Sequence, residues 1–268
     1  MALEFSSLAS GSSGNCQLIK SKNTRLLLDA GLSGKYIING LGHFNIEAET
    51  IDGILITHEH IDHIKGVGIM HRKCGMKIYA NQATWDRVSK KIGKVDPSKV
   101  VLFDNEKPFH IKDIEVEPMS ISHDAVDPVA YSFKTHSSKI AVITDLGHIT
   151  DEMVDKIKDS DLLMLESNHN VDMLMMGKYP YPLKRRVIGD HGHLSNEACA
   201  QAAIRAITTG RVSTVLLAHL SKDNNTPELA YETAKSMFYE NDIQVGSDVF
   251  LDLTYRDRVG QLFRIGGK

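Results

Sequence analysis

Cysteine is scarce in this chain, and the three that occur do not pair. Cys16, Cys74 and Cys199 are widely separated, which excludes a dense disulfide framework or a Cys-type zinc knuckle. No apolar run approaches bilayer-spanning length, so membrane insertion is not expected. No basic-then-apolar secretion segment opens the sequence, and a reducing cytoplasm is the expected compartment. Charge of either sign is not in large excess, the formal net charge being -3. That disfavours a protein coated in positive charge, as non-specific nucleic-acid binders often are, but leaves room for a local basic groove. Linkers and internal repeats are also missing. The 268 residues therefore read as one domain, 1–268, with ample material for a core.

Histidine, by contrast, is plentiful. There are thirteen, gathered in a few segments. The densest is Thr57-His58-Glu59-His60-Ile61-Asp62-His63, directly after the apolar run Ile51–Ile56. Burying so many polar groups without a partner costs several kcal/mol. A metal centre resolves the conflict, because imidazole and carboxylate both suit Zn²⁺ and Mn²⁺. Ile51–Ile56 reads as a buried strand, so the run begins where a strand ends. His58, His60 and Asp62 share a direction if the chain stays extended. His63 then approaches from the turn, and such a set can serve two ions.

Strands are expected at Leu3–Leu8, Cys16–Ile19, Arg25–Leu28, Lys77–Ala80, Val100–Phe103, Phe109–Ile111, Ile114–Ser120, Val129–Lys134, Lys139–Thr144, Leu162–Leu165, Val212–Ala218, Val249–Tyr255 and Gln261–Ile265. Helices are expected at Ser33–Leu41, Asn81–Ile92, Asp151–Ile157, Ser195–Thr208 and Thr226–Tyr239, with Ser195 as a cap. This order implies an α/β fold with helices outside a pair of packed sheets. Gly11–Gly14 reads as a tight hairpin turn or a phosphate cradle. Met173–Met176 reads as an apolar loop or as core. Cys16 is a candidate neighbour of the site, and Cys199 a small core residue.

Three more ligand candidates follow strands. His123 comes after Ile114–Ser120, Asp145 after Ile140–Thr144, and His219 after Val215–Ala218. A carboxylate can bridge two divalent ions about 3.5–4 Å apart. Asp145, the only carboxylate of the set outside the first string, is the bridging candidate. Water between two such ions ionises near neutral pH.

The string Thr57–His63 resembles the signature of the metallo-β-lactamase superfamily. That resemblance implies a four-layered αβ/βα sandwich, two mixed β-sheets flanked by helices. It also implies that His58, His60 and His123 hold a first metal, that Asp62, His63 and His219 hold a second, and that Asp145 bridges. Asp62 thereby belongs to the catalytic group as well. Ala9–Cys16, Glu166-Ser-Asn-His169, His191-Gly-His193-Leu-Ser195-Asn196 and Ala218-His219-Leu-Ser221-Lys-Asp-Asn224 narrow it to a resemblance to the YycJ/WalJ family. That family is nuclease-like, and the resemblance implies 5′→3′ exonuclease action on DNA by a hydroxide activated between two metals. The cofactors implied are two divalent ions, Zn or Mn, with Fe also possible. Glu166 and His193 match a Glu and His that work beside the metals in the related transfer-RNA 3′-end enzymes. His193 is the candidate proton donor, with His191 and His169 behind it. Ser221 and Asn224 are candidate substrate contacts.

Lys184-Arg185-Arg186 lie close in sequence to His191 and can contact successive phosphates. Tyr179 and Tyr181, alternating with Pro180 and Pro182, can stack on bases. Nucleic acid is the expected partner, DNA ahead of RNA, since no long inserted arm or extra domain for RNA handling is present. The alternatives are an RNA endonuclease, a small-molecule cyclic-phosphate phosphodiesterase, a glyoxalase II-like thioester hydrolase and a non-enzymatic metal-stabilised regulatory protein. His60 stands where redox diiron relatives typically carry Glu, which argues against that chemistry.

Overall fold

A computed structural model describes residues 2–266. The fold is α/β, with two mixed β-sheets flanked by helices. The chain groups into two compact units. One takes the residues up to Ser120, Ala125–Ser138 and those from Tyr255 on; the other takes Ile121–Asp124 and Lys139–Thr254.

The first unit is built on strands β1 (Leu3–Ala9), β2 (Cys16–Lys20), β3 (Arg25–Leu28), β4 (Gly53–Leu55), β5 (Lys77–Asn81) and β6 (Val100–Phe103), with β14 (Phe263–Ile265) outside β1. Strands β14, β1, β2 and β3 pair antiparallel. From β3 through β6 the pairing is parallel. Helices α1 (Gly34–Gly42), α2 (Ile61–Ile64), α3 (Val67–Cys74) and α4 (Gln82–Val88) complete the connections. Leu18, Leu27, Ile37, Ile54, Ile64, Val67 and Ile78 lie in one buried apolar cluster. Cys16 belongs to that cluster, a core thiol that still lies near enough to Asp29 for that charge, after burial, to push its pKa up. An antiparallel run of β7 (Phe109–Ile111), β8 (Ile114–Ser120) and β9 (Val129–Lys134) belongs to the same unit. The buried Tyr131 hydroxyl of β9 donates to the Ile56 carbonyl at 2.7 Å.

The second unit carries a parallel run of β10 (Lys139–Ile143), β11 (Leu162–Glu166), β12 (Thr214–Ala218) and β13 (Phe250–Leu253). All five residues of β11 are buried, which suits the uninterrupted Leu-Leu-Met-Leu. The helices are α5 (Asp151–Ile157), α6 (Val171–Met176), α7 (Tyr181–Val187), α8 (Asn196–Thr209) and α9 (Pro227–Glu240). Ser195 caps α8 by accepting from the Ala198 N–H at 3.2 Å, and Thr226 caps α9 through Leu229 at 3.1 Å. Such caps each contribute about 1 kcal/mol. Small residues face inward along α8, where Cys199, Ala200, Ala203 and Ala206 are fully buried. No helix among the described residues is long and apolar enough to cross a membrane.

Three local expectations change. The His/Asp run does not stay extended: Ile61–Ile64 closes a helical turn with His60 at its cap position, so Asp62 and His63 leave the chain from a helix. Helix α4 stops at Val88 instead of Ile92, because Lys91 and Ile92 both turn back to the Val88 carbonyl ahead of left-handed Gly93. Met173–Met176 is neither loop nor wholly core. It is most of α6, started by Asn170, whose side chain accepts from the Met173 N–H at 2.9 Å.

Candidate metal centre and proton-donor pair

In the first unit, the string after β4 places His58 and His63 at 0% exposure, with His60 and Asp62 half-buried. His58 Nε2 lies 3.0 Å from His60 Nδ1, and the rings of His58 and His63 are 4.0 Å apart. Asp62 Oδ2 is 3.7 Å from His63 Nε2. The buried residue organising this group is Asp29, at the end of β3. Its Oδ1 accepts the Thr57 N–H at 2.9 Å. Its Oδ2 accepts the Thr57 hydroxyl at 2.9 Å and stands 2.7 Å from His63 Nδ1. Burial pushes the Asp29 carboxyl above the usual range, against the pull of His63 and Thr57. The contact holds the proton of His63 on Nδ1 and directs a lone pair to Nε2, where the Asn15 amide meets it at 3.0 Å. Glu59, inside the string, turns away and accepts the Val126 N–H at 3.0 Å. A Cβ at Gly31 would overlap the Asp62 carbonyl oxygen, so only glycine fits beside the string.

In the second unit, the ends of β10, β11 and β12 deliver Asp145, Glu166 and His219 side by side. With His193 they each offer a ligand-type atom within 4.8 Å of the others. Glu166, fully buried, is saturated. Its Oε1 accepts from His193 Nδ1 and His219 Nδ1, both at 2.8 Å. Its Oε2 accepts from the Leu146 and Leu194 N–H groups at 3.1 and 3.3 Å. Four donors leave no room for a metal, so Glu166 orients the two rings. Burial works against its charge, yet His193 and His219 hold the carboxyl well below the usual carboxylate range. Burial likewise works against the His193 cation, and the Glu166 charge overcomes it, raising that pKa to about 9. Asp145 Oδ1 lies 3.4 Å from His219 Nδ1. His123, in the same unit, sits with its ring centroid 5.3 Å from that of His193. Burial pushes its pKa down, against the charge of Asp145.

Asp29, Asp145 and His219 all adopt left-handed backbone, with φ of 59°, 61° and 54°. Non-glycine residues reach that region uncommonly, and such conformations cluster at functional sites.

The donor set fits divalent ions. It consists of imidazoles and carboxylates, and His63 and His219 each have Nδ1 held by a buried carboxylate. That is how metal-ligating histidines are usually supported.

The basic triplet does not act as one unit. Lys184 Nζ donates to the Met175 carbonyl, and Arg186 pairs with Asp124 through Nε at 2.6 Å and through Nη2. Arg185 is exposed and makes none of the ion pairs found among the described residues. Tyr179 donates to Asp223 at 3.2 Å, while Tyr181 is exposed. Ser221 and Asn224 are buried, and the Ser221 hydroxyl accepts from the N–H groups of Asp223 and Asn224, closing their own turn. His191 is exposed and meets Ser122. His169 is buried, and neither ring nitrogen has a hydrogen-bond partner; burial depresses its pKa to about 4. It is thus neutral in ordinary buffers and no proton donor. The residues not singled out in the sequence are Asp29, Ser122, Asp124 and His148. Asp29 alone carried a sequence signal, an acid closing an apolar strand as Asp145 does.

The profile of the Beta-lactamase superfamily domain matches residues 24–220. The exodeoxyribonuclease WalJ of Streptococcus pneumoniae is 43% identical over 250 residues, 92% of this chain and 93% of that protein. The exodeoxyribonuclease YycJ of Bacillus anthracis is 41% identical over 246 residues, with the same coverage of 92% and 93%. Among solved structures, the metallo-β-lactamase fold protein YhfI of Bacillus subtilis superposes with a TM-score of 0.74 at 16% identity, covering 98% of this chain and all of that one. The short form of human tRNase Z superposes at 0.60 with 18% identity, covering 82% and 93%. The histidine-aspartate string, the saturated Glu166 and the extent of these matches together show that the chain is a metal-dependent hydrolase belonging to the metallo-β-lactamase superfamily and, within it, to the WalJ/YycJ family.

Proposed function

We propose that this protein is a metal-dependent phosphodiesterase that shortens DNA from a 5′ end in the cytoplasm. Two relatives named exodeoxyribonucleases, similar over 92% of the chain, support the substrate class. The ligands proposed are His58, His60 and His123 for one divalent ion, and Asp62, His63 and His219 for another, with Asp145 shared. Zinc and manganese both suit nitrogen and oxygen donors without a thiolate. When bound, such ions activate water and neutralise charge on phosphoryl oxygens.

The protein's own chemistry rests on one observation, the 2.8 Å contact of His193 Nδ1 with Glu166 Oε1. Glu166 fixes the ring and favours its cation, so His193 carries a second proton on Nε2 at neutral pH. That proton serves the leaving 3′-oxygen, which needs one as the P–O bond breaks. Glu166 never releases its own hydrogen bonds; it is a positioning residue. Arg185 contacts the strand by charge alone.

The test is DNA hydrolysis by chelated protein reloaded separately with Mn²⁺ and Zn²⁺, alongside His193→Ala. Loss of turnover with both metals still bound supports the role of His193. Unchanged turnover removes it. Linear DNA and closed circles then separate exonuclease from endonuclease action, and rapid cutting of circles refutes the 5′-end reading.

A further inference from the structure

Two exposed histidines outside the donor set, His148 and His191, hang from one backbone carbonyl. His148 Nδ1 lies 3.3 Å from the Asp190 oxygen. Ser122 Oγ lies 2.7 Å from that same oxygen and 2.9 Å from His191 Nδ1. The proton positions follow. A carbonyl can only accept, so the Ser122 hydroxyl hydrogen goes to Asp190. The Ser122 oxygen is then an acceptor, and His191 must carry its proton on Nδ1. His148, facing the carbonyl directly, must do the same. Both rings are therefore fixed in one tautomer, with Nε2 as the nitrogen left to a ligand.

The arrangement is built by close packing. The Gly147 N–H donates to the Ser122 carbonyl at 2.9 Å. A Cβ on Gly147 would overlap the Asp190 carbonyl. The loop after Asp145 and the loop before His193 are thereby locked together, and each carries one of the rings within three residues of Asp145 or His193.

We propose that His148 and His191 form a second phosphate subsite, gripping a phosphate group next to the one being cleaved; this rests on the reading of the substrate as DNA. A phosphate oxygen facing each Nε2 calls for one hydrogen between the two atoms, and with Nδ1–H committed to the Asp190 carbonyl or to Ser122, Nε2 is the ring nitrogen that can share it. A resident metal on these lone pairs is disfavoured. Neither ring belongs to any group of three ligand-type side chains among the described residues. The Asp124 charge is neutralised by Arg186, and Asp190 contributes its carbonyl to the arrangement.

The phosphate has two possible sources, a terminal 5′-phosphate or an internal phosphodiester. Three measurements test the proposal on the full-length chain. Inorganic phosphate, titrated while the ring ¹H–¹⁵N resonances are followed, is expected to shift His148 and His191 together, and to do so at least fivefold more weakly in Ser122→Ala. Absence of any shift overturns the subsite whatever the substrate proves to be. His148→Gln is expected to raise KM for a 5′-phosphorylated oligonucleotide at least fivefold with a smaller change in kcat; a loss confined to kcat refutes a binding role. The same variant is then compared on 5′-hydroxyl oligonucleotides and on ones with a neutral methylphosphonate at the adjoining linkage. A defect that disappears on 5′-hydroxyl DNA assigns the terminal phosphate, and one that disappears on the methylphosphonate assigns the internal one. If the wild type shifts with phosphate but hydrolyses no oligonucleotide, the DNA reading has failed and the anion site stands.

Discussion

Glu166→Gln isolates what the buried carboxylate does. In the wild type, two acceptor oxygens face four N–H donors: His193 and His219 at 2.8 Å, Leu146 at 3.1 Å and Leu194 at 3.3 Å. Glutamine has the same shape but presents one oxygen and one NH₂. With the NH₂ turned to the Leu146 and Leu194 N–H groups, two protein donors point at another donor; turned to the rings, it forces both histidines to give up the proton on Nδ1. Each unsatisfied buried donor costs about 1–3 kcal/mol, so the change is expected to destabilise by roughly 2–6 kcal/mol. That is a large share of the ~5–15 kcal/mol that holds a domain folded. The charge lost from beside His193 also removes the main force raising its pKa. Urea unfolding of chelator-treated wild type and variant separates this effect from metal loss, and the expected result is a lower midpoint at unchanged slope. A destabilisation under about 1 kcal/mol, with the His193 ring still titrating near 9, would falsify the saturated-carboxylate argument.

Other expectations follow from single side chains. His169, buried with its pKa near 4 against ~6.5 in water, must be neutral to stay folded. Its depressed pKa makes that stability fully present above pH ~6.5 and lost as pH falls towards 4, about 3 kcal/mol in all. Urea midpoints across that window should show this component vanish in His169→Asn, and an unchanged pH profile rejects it. Arg185→Ala should weaken DNA binding uniformly across sequences and lower the log–log salt slope by about 1, as read by fluorescence anisotropy. Arg186→Ala should instead act by freeing Asp124 beside His123, changing metal content; an effect on salt slope alone would contradict the pairing. Gly31→Ala, whose Cβ would overlap the Asp62 carbonyl, should lose bound metal by atomic emission. Gly42→Ala, with nothing within 4 Å of its added carbon, should keep it.

Much of the site is legible in the sequence because local order and chemistry coincide there. His58, His60, Asp62 and His63 stand within six residues, and the ends of β10 and β12 mark Asp145 and His219 by an abrupt change from apolar to polar. Asp29 is harder to see. An acid ending Leu-Leu-Leu also suits a simple turn, and only its tertiary contacts with Thr57 and His63 reveal its part. The basic triplet misleads for a geometric reason. Three consecutive residues look like one patch, but a helix turns about 100° per residue, so in α7 Lys184, Arg185 and Arg186 face different neighbours. Ser221 and Asn224 are polar and adjacent to His219, which makes them attractive contacts. Their hydrogen bonds instead close the turn that follows that histidine.

The crossover between the paired strands β11 and β12 leaves at Glu166 and returns at Thr214, and it houses α6, α7 and α8. Its two ends are fixed by the strand ladder, and the contact of Glu166 with His219 lies just where that ladder stops. The exposed side chains of Tyr181 and Arg185 are carried within this one excursion, and so is His193. Insertion or deletion ahead of His193, in the part that carries α6 and α7, can therefore alter what is presented there without altering the spacing of Glu166 and His219. Descent with changed specificity needs edits only to the part of the loop ahead of His193, while the Glu166–His219 contact is inherited with the ladder.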